Sequence, residues 1–218
     1  MSPESTDFLY PFIEGDERDA TSLLRDLSAS ARAKAGESTI LVHAMRERWA
    51  ATLGGAAAAM AGRVAAGGRV LVFGNGGSAT DASTLAALLS TPPRGRPVAA
   101  RSLVADESVV TALGNDVGFD LVFSRQLIAH GRPDDVAIGV STSGDSENVL
   151  RGFVEAKRLG LLTIGFAGYD GGRMATSGAV DHCVVVGSDS VHRVQEAQAA
   201  LGFDLWERLQ RQLGEPAA

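Results

Sequence analysis

Two stretches decide the fold: Val70-Leu71-Val72-Phe73-Gly74-Asn75-Gly76-Gly77-Ser78-Ala79 and Gly139-Val140-Ser141-Thr142-Ser143-Gly144-Asp145-Ser146. In each, a short apolar run ends in small and polar residues and a helical pattern begins. Such a run is a strand buried on both faces, and the small residues form a tight strand-to-helix turn. A helix entered this way presents free backbone N–H groups and the positive end of its dipole, an arrangement that suits an anion. The second turn carries Ser141, Thr142, Ser143 and Ser146 within six residues. One N-cap, from Asp145 or Ser146, needs only one of these side chains. The surplus hydroxyls read as a phosphate cradle, and Ser78 adds a further donor from the first turn.

Outward from these turns the chain alternates. Strands are predicted over residues 69–73, 98–103, 135–140, 161–166 and 181–186. Helices are predicted over 79–89, 106–113, 119–130, 146–159 and 190–213. Strands alternating with helices of this length give crossovers and a parallel sheet. The expected fold class is α/β: three layers, with a five-stranded parallel sheet, helices on both faces and additional N-terminal helices. Both turns then lie at the carboxyl edge of the sheet, where ligands bind in such folds. Upstream, Leu23, Leu24 and Leu27 predict a helix from Arg18 to about Lys34, closed by Gly36 as a left-handed cap. A second helix is predicted from Glu37 to about Ala66. The apolar cluster from Phe8 to Phe12 reads as a docking element or as cover for a subunit edge.

Composition narrows the partners. The chain has 218 residues, 45% hydrophobic and 21% charged, with a formal net charge of -6. That balance argues against an electrostatic grip on nucleic acid or on an anionic membrane. Cys183 is the single cysteine, so no internal disulfide forms, and a cysteine-based zinc site is not expected. The start of the chain is acidic rather than basic and lacks the apolar run of a secretory signal. A cytoplasmic location is expected.

Gly74-x-Gly76-x-x-Ala79 also fits a loose dinucleotide fingerprint. That reading wants an acid at the end of the second strand, where this chain has Arg94, Arg96 and Arg101. Neutral hydroxyl donors without a P-loop lysine suit a monophosphate on a small molecule better than a nucleoside triphosphate.

Five motifs in one order carry a resemblance: Gly74-Asn75-Gly76-Gly77-Ser78, Gly114-Asn115-Asp116-x-Gly118-Phe119, Ser141-Thr142-Ser143-Gly144-Asp145-Ser146, Gly168-x-Asp170-Gly171-Gly172 and Arg193-x-Gln195-Glu196. Over about Glu37 to Leu209 the chain resembles the sugar isomerase (SIS) domain family and, within it, the phosphoheptose isomerase branch. On this basis residues 1–36 are an N-terminal extension with a helix, 37–213 the SIS domain and 214–218 a short tail. The resemblance implies a flavodoxin-like topology and a homotetramer with ligand sites at subunit interfaces. It places Ser78, Ser141, Thr142, Ser143 and Ser146 at phosphate-binding positions, and Asn75, Asp116 and Gln195 at sugar-binding ones. Asp145 stands where close relatives often carry Asn, which puts a carboxylate beside the cradle.

The acid-base positions differ. Where family isomerases carry a His and a Glu after the first turn, and a His on the last helix, this chain has Thr84, Leu88 and Phe203. These changes lead to the expectation of a phosphosugar-binding protein without the family's zinc, His and Glu chemistry. Such a protein would have no metal and no cofactor, and would act as a sensor or adaptor with a protein partner. The alternative is an active phosphoheptose isomerase with rearranged groups, for which His192 and Glu196 are the catalytic candidates and Asp81 a third.

Overall fold

The computed structural model describes residues 20–214. These fall into two compact units that divide between Ile40 and Leu41; the Phe8–Phe12 cluster lies outside the described residues. The first unit contributes the early turns of a long helix, α1 (Ala20–Arg48). The predicted break at Gly36 does not occur. Glycine inside a helix costs about 1 kcal/mol relative to alanine, and this exposed one meets no neighbour that would require a turn. The break comes instead at Trp49, before α2 (Ala50–Ala65). There the indole N–H donates to the Val185 carbonyl at 2.8 Å.

In the second unit five strands form the sheet: β1 (Val70–Gly74), β2 (Ala100–Ser102), β3 (Val136–Ser141), β4 (Leu162–Gly168) and β5 (His182–Val186). All pairings are parallel, in the order β2-β1-β3-β4-β5. The crossovers run through α3 (Gly77–Ser90), α4 (Glu107–Leu113), α5 (Val122–His130), α6 (Glu147–Arg158) and α7 (Gly172–Thr176), and α8 (Val191–Gln212) closes the chain. Two elements escaped the sequence reading: α7, and a π-helical turn over Gly114–Gly118.

Each face of the sheet has its own core, and the pleat assigns residues to them. Along β1, Val70 and Val72 pack with α2, α3 and α8, whereas Leu71 and Phe73 pack with α5 and α6. Phe73 lies 5.1 Å from the ring of Phe123 and 5.3 Å from that of Phe153. Gly139 makes room for this aromatic group, since a Cβ there would lie 2.5 Å from the Phe153 ring. Among the described residues no helix is long and apolar enough to cross a membrane.

At the edge of the sheet Asp181 accepts hydrogen bonds from the N–H and the hydroxyl of Thr163, at 3.0 and 2.9 Å, and pairs with Lys157. Burial alone would raise its carboxyl, but the bonds from Lys157 and Thr163 outweigh burial and hold it below the ordinary 3.8. A depressed carboxyl stabilises the fold above its unfolded pKa and loses that contribution as pH falls through its folded value. Asp181→Asn should therefore be less stable than the parent at pH 7, by urea denaturation. The gap should close below about pH 3.8, and a gap that is constant with pH would contradict this.

Candidate functional site

Gly74 and Val140 are register partners at the carboxyl ends of β1 and β3. From here the chain leaves β1 for α3 on one face and β3 for α6 on the other. This is the switch point of a doubly wound sheet, and the crevice between the departing turns is where such folds bind ligands. The turns lie so close that a Cβ on Gly74 would sit 2.7 Å from the Ser78 carbonyl oxygen and 2.8 Å from that of Val140. Gly76, with φ 54°, opens α3 without a side-chain cap, and α6 likewise starts uncapped after Ser146. The starts of α2, α7 and α8 also lack a side-chain cap, whereas at α4 Asp106 accepts from Val109 N. Both helices that meet the crevice therefore keep their first N–H groups for an anion.

Three of the hydroxyls converge. Ser141 Oγ lies 3.1 Å from Ser146 Oγ and 3.4 Å from Ser143 Oγ, and accepts from Gly144 N at 3.1 Å. Ser143 Oγ accepts from Asp145 N at 3.1 Å. Ser78 is buried at the start of α3, and Thr142 is half-buried. Asp145 does not cap α6. Its carboxylate turns to solvent and accepts from the backbone N–H and the Nε of Arg173, at 2.9 and 3.2 Å. Chiefly through that backbone bond, Arg173 holds the carboxyl below its usual range. Arg173 also reaches Glu147 at 3.0 Å, so both carboxylates next to Ser146 are paired.

The sugar-contact candidates are distributed differently. Asn75 is locked to Asn148 by reciprocal amide bonds of 2.7 and 2.9 Å, which pins the first turn to α6. Gln195, on the second turn of α8, packs its amide over Gly77, where a Cβ would push that side chain aside. Asp116 lies on the exposed π-helical turn and accepts from the Asn115 amide at 2.6 Å. Of the catalytic candidates, His192 is exposed on the first turn of α8, and Glu196 is paired with Arg193 at 2.6 Å. The sequence reading missed Asn148 and Gln198, both buried on helices. Gln198 donates to the Ser141 carbonyl at 3.4 Å and so ties α8 to the cradle.

Between α3 and α8 lies a cavity of about 150 Å³ whose lining includes Asp81, Thr84, Leu88, Phe166, Gln198 and Phe203. The three positions that carry His and Glu in family isomerases thus share one apolar chamber. Zinc binds through thiolate, imidazole and carboxylate groups. Leu88 and Phe203 offer no donor, and among the described residues no three His, Cys, Asp or Glu side chains converge. The residues present do not fit a zinc ion.

The SIS domain model matches residues 35–168. The chain belongs to the SIS domain family. Chains similar to it include phosphoheptose isomerases. The one from Paramagnetospirillum magneticum is 46% identical over 149 residues, covering 67% of this chain and 77% of the relative. The one from Aquifex aeolicus is 45% identical over 151 residues, covering 68% and 78%. The solved phosphoheptose isomerase of Neisseria gonorrhoeae superposes with a TM-score of 0.76 at 34% identity, covering 82% of this chain and 96% of that one.

These relatives overturn the expectation of a sensor or adaptor without isomerase chemistry. That expectation equated the loss of side chains at Thr84, Leu88 and Phe203 with the loss of proton transfer. The same SIS-domain chamber still holds a carboxylate at Asp81 and an amide at Gln198.

Proposed function

We propose that the protein is a phosphoheptose isomerase that interconverts sedoheptulose 7-phosphate and an aldoheptose phosphate. Support comes from its similarity to enzymes of that name, joined to the convergence of Ser141, Ser143 and Ser146 at the switch point. The phosphate sits against these hydroxyls, Ser78, Thr142 and the first N–H groups of α3 and α6. The far end of the sugar, where carbonyl and hydroxyl exchange places, extends toward the cavity between α3 and α8. The cavity, of about 150 Å³, takes in the reacting end of the substrate.

The same reading makes the protein a cytoplasmic homotetramer, and light scattering should return four times the 22.6 kDa chain mass. The activity is tested by incubating the purified protein with sedoheptulose 7-phosphate and following the anomeric proton signals by NMR. New aldose signals that grow with protein concentration are expected. A substrate that binds and stays unconverted after prolonged incubation would contradict the reading.

A further inference from the structure

An aldose-ketose isomerase needs a group that removes a proton from carbon and returns it to the neighbouring carbon. His192 and Glu196 are poorly placed for this. Neither lines the cavity, one being exposed to solvent and the other ion-paired. Asp81 differs in three respects. It sits on α3 one turn beyond Ser78, on the same helix face as that cradle residue. It lines the cavity between α3 and α8. Its Oδ2 is sealed from solvent and has no hydrogen-bond partner.

The Oε1 of Gln198, across the same cavity on α8, is also buried without a partner. Its amide nitrogen, meanwhile, is fixed on the Ser141 carbonyl. A buried acceptor left unpaired is destabilising, because it has given up water and gained nothing in exchange. Two around one small chamber call for a ligand that brings donors, and a polyol brings hydroxyls. Burial also pushes the Asp81 carboxyl above its ordinary 3.8. A base so shifted is closer to the pH at which it must both take and return a proton.

Resting on the isomerase reading, we propose that Asp81 is the general base of the reaction and that Gln198 Oε1 receives a substrate hydroxyl beside it. Asp81 takes the proton from the carbon that bears a hydroxyl next to the carbonyl. The C–H electron pair becomes the C=C bond of an enediolate as the carbonyl π pair moves onto its oxygen, which takes the hydroxyl proton and leaves the negative charge on the hydroxyl's oxygen. The protonated Asp81 then gives its proton to the former carbonyl carbon. The C=C pair forms that new C–H bond as the neighbouring oxygen becomes the carbonyl.

The test is turnover in D2O with sedoheptulose 7-phosphate, followed by NMR. The parent should wash solvent deuterium into the reacting carbons. Asp81→Asn, with melting temperature checked, should lower kcat by about 100-fold or more, in line with the usual contribution of acid-base catalysis. It should lose the deuterium exchange and keep KM within about threefold. Asp81→Ala, which a helix tolerates, should regain turnover when formate is added. Folded variants with kcat within about threefold of the parent, or with exchange intact, would overturn the proposal. So would a rise in KM with kcat unchanged, since that marks a residue that only binds. A parent that neither converts nor exchanges would overturn the isomerase reading itself, and Asp81's role with it; that failure shows in the unmodified protein.

Discussion

Ser141→Ala should weaken binding of the sugar phosphate by about 10- to 100-fold, with kcat/KM falling in step. A hydrogen bond to a charged group contributes about 1.5–3 kcal/mol, and each 1.4 kcal/mol is tenfold in affinity. The effect should exceed that of any other single hydroxyl in the turn because Ser141 is its hub. Ser143 and Ser146 both lie within 3.4 Å of its Oγ, and the Gly144 N–H depends on it as acceptor. Without that oxygen the neighbouring hydroxyls are free to rotate and the buried Gly144 N–H is left unpaired. Calorimetric titration reads the loss directly. A change under about twofold would mean that the phosphate is held elsewhere.

At the opposite edge of the sheet the largest stability effect is expected. Asp135, 1% exposed, joins the amino ends of β1 and β3. Its carboxylate accepts from Arg69 N at 2.8 Å, from Arg69 Nη2 at 2.9 Å and from Arg132 N at 3.1 Å. Asp135→Ala strips these donors of their acceptor and leaves the Arg69 guanidinium only the His130 carbonyl. Because Arg69 is 35% exposed, the loss is that of buried donors left unsatisfied, about 1–3 kcal/mol, and a chain of this size loses about 2–4 °C of Tm per kcal/mol. A fall of roughly 2–12 °C follows from those figures. Activity per folded molecule should be unchanged, because the network lies at the end of the strands remote from the cradle. An unchanged Tm, or a folded variant that fails to turn over, would contradict that separation.

The contrast between these edges explains what could be read from the sequence. Strands buried on both faces leave continuous apolar runs, so Val70–Gly74 and Val136–Ser141 could be located within a residue or so. Gly74, at the end of the first, and Gly144, after the second, mark close backbone approaches that a side chain would block, whereas Gly76 supplies a positive φ. Gly36 misled because a glycine reads as a stop even where surrounding helix formers outweigh its cost. The short α7 was hidden in Gly171 and Gly172, whose positive φ values of 95° and 52° read simply as loop.

In the site, the serines were legible because four hydroxyls in one turn exceed what capping requires. Asn148 and Gln198 were not, since a single polar residue on an amphipathic helix usually faces water. Their burial, with each only 3% exposed, is decided by the approach of α6 and α8 to the turns, which the sequence does not display. The functional error came from the same source. Thr84, Leu88 and Phe203 announced a lost set of groups, whereas the sealed and unpartnered oxygen of Asp81 emerges only when α3 and α8 are packed together.

The central claim is that the two turns at the switch point hold the phosphate of a sugar whose other end reaches the chamber between α3 and α8. A crystal structure of the protein with sedoheptulose 7-phosphate tests it most directly. The account predicts the phosphorus within hydrogen-bonding reach of Ser78, Ser141, Ser143 and Ser146, and the carbonyl end of the chain beside Asp81. A sugar phosphate bound elsewhere while those serines stay unoccupied would contradict it.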